Sequence, residues 1–196
     1  MRKVIVHGFY LFAFLFSLGG LWLTNGGYLY VAKHFYPLEF HAQVLASSRE
    51  FNLDPLFVTT VIREESRFRP LIRSSKGAVG LMQLLPSTAA WGAQIIPIRG
   101  FRVEQLDDPA VNIRIGCWYL SYLWKQFGCG EMVLAAYNGG EGNASKWHNP
   151  ERLSFPETQE YLRRGKATYG MYRKLYGSKA PPILWIKPIP LATESL

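Results

Sequence analysis

The chain has 196 residues, 48% of them apolar and 15% aromatic, with a formal net charge of +8 and only two cysteines. That is enough apolar material for one domain to bury a core without metals or disulfides, which excludes a scaffold that depends on either. The positive balance favours polyanionic surroundings, whether cell-wall polymer, anionic lipid or nucleic acid, and does not choose among them.

The N-terminal segment differs from the rest. Arg2 and Lys3 are followed by a stretch from Val4 to Ala32 with no Asp, Glu, Lys or Arg. As a helix, Val4 to Leu23 would be about 30 Å long, the thickness of a bilayer's hydrocarbon core. The two cations favour a cytoplasmic N-terminus and an extracytoplasmic body. Residues 1–32 therefore read as an uncleaved single-pass anchor that places the protein at the cell membrane. A cleaved signal peptide is the alternative, although the small-residue cleavage pattern is poor and the apolar run exceeds the usual length of about 7 to 15 residues.

Residues 33–177 read as one globular domain of short helices, predicted at His41 to Phe51, Pro55 to Ser66, Pro86 to Trp91, Pro109 to Phe127, Glu131 to Tyr137, Gly142 to Trp147 and Glu157 to Tyr176. Asp54-Pro55 and Asp108-Pro109 each pair an N-cap with proline at the first helical position, and Pro86-Ser87-Thr88 opens another helix. Strand-like runs are nearly absent. Arg67 to Gln83, with Gly77 and Gly80, is the place for loops or a small hairpin, and Ile95 to Asp107 reads as an irregular connection. If Pro109 to Phe127 is helical, the spacing from Cys117 to Cys129 corresponds to about 18 Å along the axis, while bridged Cα atoms lie within about 7 Å. Cys117 is accordingly a small core residue and Cys129 a turn residue. The tail 178–196 carries four prolines among apolar residues and cannot form a regular helix.

Within the helix Pro55 to Ser66, Val58, Val61 and Ile62 share one stripe at 100° per residue, and Glu65 falls in that stripe. Apolar surroundings disfavour the charged form of a carboxyl, so Glu65 is a candidate general acid. Glu64 points about a quarter-turn away. The plainer alternative for Glu65 is a helix-end acid that reaches to water.

Three further blocks follow: Gly80-Leu81-Met82-Gln83, Ala135-Ala136-Tyr137-Asn138-Gly139-Gly140 and Pro156-Glu157-Thr158-Gln159-Glu160-Tyr161, with Asn112-Ile113-Arg114 opening a helix before the second of them. Taken with Glu65-Ser66, in this order and spacing, they resemble the catalytic domain of the soluble lytic murein transglycosylases, the SLT family, from about His41 to Tyr176. The resemblance implies a mainly α, lysozyme-like α+β fold of the goose type, here a single globular domain after an N-terminal membrane-spanning helix. It implies a cell-wall lyase that cleaves the β-1,4 bond between N-acetylmuramic acid and N-acetylglucosamine. In that family one glutamate, matching Glu65, protonates the glycosidic oxygen, and the substrate's N-acetyl group stabilises the anomeric centre. The carboxylate then takes the proton of the muramyl C6 hydroxyl, which closes a 1,6-anhydro ring. No cofactor is called for.

The remaining site residues follow from the same resemblance. Gln83 would hydrogen-bond sugar hydroxyls or N-acetyl groups with Met82 as an apolar wall, and a loop-capping glutamine is the alternative. Tyr137 would bond at the reacting site and Asn138 would hold the sugar or turn the backbone. Ser66 would contact substrate or close the helix. Glu157 and Tyr161, one turn apart, would line the cleft, although an acid at a helix N-terminus is also favoured by the dipole. Gly165 sits inside the last helix, where relatives carry an apolar residue. The implied partners are peptidoglycan glycan strands and the membrane, with cell-wall or secretion machinery as a further class.

Ordinary glycoside hydrolysis takes two carboxyls. Asp107 and Asp108 are accounted for at a helix start and Glu141 lies in a glycine-rich turn, so Glu65 has no evident second carboxyl. The rival readings are a hydrolysing muramidase of the same fold and a non-catalytic wall-binding or secretion-assembly protein. Nucleic acid is not an expected partner, because the basic residues form no dense run. The four histidines lack metal-ligand spacing.

Overall fold

The computed structural model of the chain describes residue 12, residues 14–147 and residues 149–177. The chain divides into two compact units between Pro37 and Leu38. In the first, residues 14–22 are helical, a π-helical turn follows at Leu23–Gly27, and the chain resumes as α1 (Tyr28–Phe35). The turn exists because Gly26 takes φ +94° and the Trp22 ring folds over Gly27, where a Cβ would lie 2.3 Å from it. Phe14, Phe16, Leu21 and Trp22 are all exposed. Among the described residues no helix is long and apolar enough to cross a membrane. The expected span starts at Val4, so much of it lies outside the described residues, as does the proline-rich tail.

The second unit is helical, and its elements are α2 (His41–Glu50), α3 (Pro55–Ser66), α4 (Pro86–Ile95), α5 (Pro109–Phe127), α6 (Gly130–Gly139), α7 (Glu141–Trp147) and α8 (Pro156–Tyr176). Both Asp-Pro starts form as predicted. Asp54 accepts from the Leu56 N–H at 2.7 Å and Asp108 from the Ala110 N–H at 2.8 Å, each satisfying an otherwise orphaned donor. α4 runs four residues beyond its expected end at Trp91. Gly92, which would weaken an isolated helix, is held against the Trp118 ring and leaves no room for a side chain there. Among the described residues the expected hairpin reduces to two isolated bridges, Arg73 with Val79 and Val79 with Leu84. The irregular connection closes as a short 3₁₀ helix at Val103–Asp107.

α5 is the central rod, with α2, α4 and α6 packed around it, while α8 covers α3 and α6. Phe57, Val58, Val61 and Ile62 of α3, Ile113, Leu120 and Leu123 of α5 and Val133 and Leu134 of α6 are all fully buried. Each such side chain stabilises the fold by about 1.5 to 3 kcal/mol. Gly165 belongs to this packing: a Cβ there would sit 2.8 Å from Leu134, so glycine lets α8 approach α6 closely. Cys117 and Cys129 are both free thiols, the former buried beside α5's core residues.

Candidate active site

α3 is anchored at both ends by α8. At its start the Tyr169 hydroxyl donates to Asp54 at 2.6 Å. At its end Glu64 accepts from the Thr168 hydroxyl at 2.7 Å and pairs with Arg164 at 3.0 Å. These contacts leave the next residue, Glu65, continuing the stripe of Val58, Val61 and Ile62, which are all fully buried. Ser66 is itself buried, and its hydroxyl donates back to the Ile62 carbonyl at 3.0 Å, so it closes the helix and does not present itself to the cleft. Arg67 then turns the chain in the left-handed conformation, φ +51°.

Glu65 is half-buried. Loss of solvation pushes its pKa up from 4.5 to about 7; the Tyr161 hydroxyl and Arg164 oppose this, and the negative charges of Glu64 and Glu157 add to it. The Tyr161 hydroxyl, buried and facing this carboxyl, makes no hydrogen bond of good geometry to any described group. Its phenol and that of Tyr137 are held protonated, because burial and the neighbouring Glu65 charge both raise their pKa well above the ordinary value. Glu157 is exposed on the first turn of α8 and acts on Glu65 through its charge.

The opposite side is built on the loop before α4. Gly80 takes φ +79° and lies so close to Asn112 that a Cβ would fall 2.2 Å from the amide nitrogen, so only glycine fits. Asn112, fully buried in α5, accepts from the Met82 N–H at 2.9 Å and donates to the carbonyls of Val79 at 3.0 Å and Leu106 at 2.9 Å. The Met82 side chain goes inward against Gly116, where a Cβ would meet its sulfur at 2.2 Å. The expected apolar wall is therefore core, and Met82 enters the site through its backbone: its carbonyl accepts from the Tyr137 hydroxyl at 2.7 Å. Gln83 sits at φ +46°, with its amide nitrogen donating to the carbonyls of Gly80 at 2.9 Å and Ile72 at 3.2 Å. Its two amide hydrogens are thus spent on the loop. Asn138 accepts from the Thr158 hydroxyl at 2.9 Å, which ties the end of α6 to the start of α8.

The structure thus brings Tyr137, Tyr161 and Glu157 within electrostatic reach of Glu65, with Gln83 and Asn138 on other segments, and turns Ser66 and Met82 into the protein. Sequence reasoning missed Asn112 as the loop clamp, and Thr158 and Arg164 as the groups that hold Asn138 and Glu64. For Asn112 a signal was present, a polar residue among the apolar positions of a helix that begins Pro109-Ala110-Val111. Glu141, the other acid considered, accepts from the Tyr122 hydroxyl at 2.6 Å and is not among the charges that act on Glu65. Among the described residues no cluster of His, Cys, Asp or Glu could hold a metal ion. A carboxyl with a pKa about 7 between protonated phenols can both give and retrieve a proton near neutral pH.

The chain is similar to several known proteins. The profile of the "Transglycosylase SLT domain" matches residues 43–154. The soluble lytic murein transglycosylase of Salmonella typhimurium is 31% identical over 157 residues, which is 74% of this chain and 24% of that protein. A membrane-bound lytic murein transglycosylase E of Buchnera aphidicola is 32% identical over 88 residues, 43% of this chain and 39% of that protein. Among solved structures, an inactive mutant of the lytic transglycosylase Slt from Pseudomonas aeruginosa superposes with a TM-score of 0.71 at 30% identity, covering 76% of this chain and 26% of that one. The chain spans about a quarter of the length of the first of these relatives.

Proposed function

Because the chain belongs to the SLT transglycosylase family, we propose that it is a peptidoglycan lytic transglycosylase in which Glu65 serves first as general acid and then as general base. The observation that carries the reading is the single carboxyl raised to about 7 by burial, flanked by two protonated phenols. Glu65 donates its proton to the oxygen between N-acetylmuramic acid and N-acetylglucosamine, and the bond from the muramyl C1 to that oxygen breaks. The N-acetyl oxygen of the muramyl residue supports the cationic C1. Glu65, now a carboxylate, removes the C6 hydroxyl proton, and the C6 oxygen bonds to C1. The products are an N-acetylglucosamine end and a 1,6-anhydromuramyl end, the carboxyl is restored, and no water is consumed.

Tyr161 donates toward the Glu65 carboxylate while it is charged, Tyr137 holds the Met82 carbonyl at 2.7 Å, and Gln83, Asn138 and Glu157 contact the sugars. The N-terminal segment holds this domain at the outer face of the cell membrane. Two observations support anchoring: Arg2 and Lys3 precede an uncharged run, and the large apolar side chains Phe14, Leu15, Phe16, Leu18, Leu21 and Trp22 are exposed.

Digestion of purified peptidoglycan in water enriched in heavy oxygen tests the chemistry. Anhydromuramyl ends without label, lighter by one water than lysozyme products, are expected. Labelled reducing ends would instead assign a hydrolysing muramidase, with Glu157, whose charge acts on Glu65, as its second carboxyl.

A further inference from the structure

A row of aromatic rings leads from the Glu65 site to the surface of α4 and α5. Tyr137, whose phenol feels the Glu65 charge, lies 5.5 Å from Tyr119, ring centre to ring centre. Tyr119 stacks on Tyr122 at 6.2 Å, and Tyr122 meets Trp91 of α4 edge-on at 4.9 Å. The three tyrosines are half-buried and Trp91 is 39% exposed, so none of the four rings is covered as a core residue is.

The outer rings are held in place before any ligand arrives. Trp118 lies buried beneath them, edge-on to Trp91 at 4.7 Å and stacked on Tyr122 at 6.2 Å. Gly92 lets α4 press onto that Trp118 ring, since a Cβ there would sit 2.7 Å from it. The Tyr122 hydroxyl is tied to Glu141 at 2.6 Å. Little rotamer freedom is left to lose on binding. A pocket of about 370 Å³ opens here, lined by Trp91, Ile95, Trp118 and Tyr122, with Ser121 and Lys125 supplying a hydroxyl and an ammonium group.

Fixed aromatic rings beside a few polar groups suit a sugar. The C–H groups on a pyranose face carry slight positive charge and complement the negative face of an aromatic ring, while hydroxyls and N-acetyl groups at the edge reach the polar side chains. A carboxylate offers about four acceptor sites, so Glu141 can take a sugar hydroxyl or amide N–H beside the bond from Tyr122. With Lys125 as its cation and Glu141 as its anion, the platform suits a ligand without net charge and not a nucleic acid or an anionic lipid surface. The row begins at Tyr137, and the substrate assigned above is a polymer that continues beyond the bond being cleaved.

We propose that Trp91, Tyr122 and Glu141 form a distal glycan subsite that holds sugar rings of the strand several residues from the scissile bond, making affinity depend on strand length. The inference rests on the lytic reading and deepens it. Sugars joined to those already in the cleft reach the platform at high effective concentration, so a single stacking contact is enough to be measured.

The test is calorimetric titration of the full chain carrying Glu65→Gln, so that strands stay intact, with peptide-free glycan oligomers of two lengths, a tetrasaccharide and an octasaccharide. The octasaccharide is expected to bind about tenfold more tightly. Adding Trp91→Ala should remove most of that advantage and leave the Kd of the tetrasaccharide as it was, which also shows that the fold is intact; Trp91→Phe should keep part of the advantage. Glu141→Ala should weaken the octasaccharide alone, by a smaller factor. An unchanged length advantage in Trp91→Ala, or an equal loss on both oligomers, would overturn the proposal. If both oligomers bind the parent chain equally, only the distal subsite fails; if neither binds, the lytic reading fails with it.

Discussion

The Tyr137 hydroxyl donates to the Met82 carbonyl at 2.7 Å while the Met82 N–H is held by Asn112 at 2.9 Å, so one loop residue is clasped from α6 and α5 at once. The loop before α4 is thereby fixed by its backbone, and the side chain that sequence reasoning assigned to the substrate serves as the core plug beneath it.

Removing either clasp should destabilise the domain by different amounts. Tyr137→Phe leaves the Met82 carbonyl without its donor and should cost about 1 to 2 kcal/mol. Asn112→Ala abandons three backbone groups in a buried position and should cost about 3 kcal/mol or more. Chemical denaturation of both variants checks the order, and equal losses would contradict the three-bond role of Asn112.

Glu65 and Glu64 should separate cleanly in activity. Glu65→Gln keeps the shape but cannot deliver a proton, so cleavage of peptidoglycan should fall by at least about 100-fold while binding of glycan strands persists. Glu64→Gln should retain most activity, since its carboxyl is turned to Thr168 and Arg164; its loss is one of stability, through the weakened pair with Arg164. Turbidity and pelleting assays on the two variants measure this directly.

The raised pKa of Glu65 also predicts how stability depends on pH. The folded state prefers the protonated carboxyl, so this contribution is complete below about 4.5 and is lost as pH rises to about 7. Above that the ionised group costs up to about 3 kcal/mol. Glu65→Gln, neutral throughout, should be more stable than the wild type at pH 8, and the difference should shrink to near zero by pH 4.5. Thermal melts across that range would show a flat difference if the carboxyl were ordinary.

The N-terminal segment should decide where the protein resides. A chain beginning near Lys33 is expected to be soluble and active, whereas the full chain should fractionate with membranes and keep its first residue. N-terminal sequencing that finds a soluble form starting after residue 24 would mean that the segment is a cleaved signal.

By itself, the sequence determined the helices and the face of the acid. Asp54-Pro55 and Asp108-Pro109 act through bonds that close within two residues, and the 3.6-residue period puts Glu65 on the line of Val58, Val61 and Ile62 whatever surrounds it. The expected end of α4 at Trp91 fell four residues short, because helix propensity counts the local cost of Gly92 and not the Trp118 ring that needs its space. What surrounds Glu65 was decided only by tertiary structure. Tyr161 and Arg164 come from a helix about a hundred residues further along the chain, and the pKa depends on the desolvation that α8 imposes when it packs over α3. Met82 and Ser66 show the same division. Their residue types suited a sugar site, but local patterning carries no record of which loop face the core takes up, and burial against Gly116 and the Ile62 carbonyl settled it.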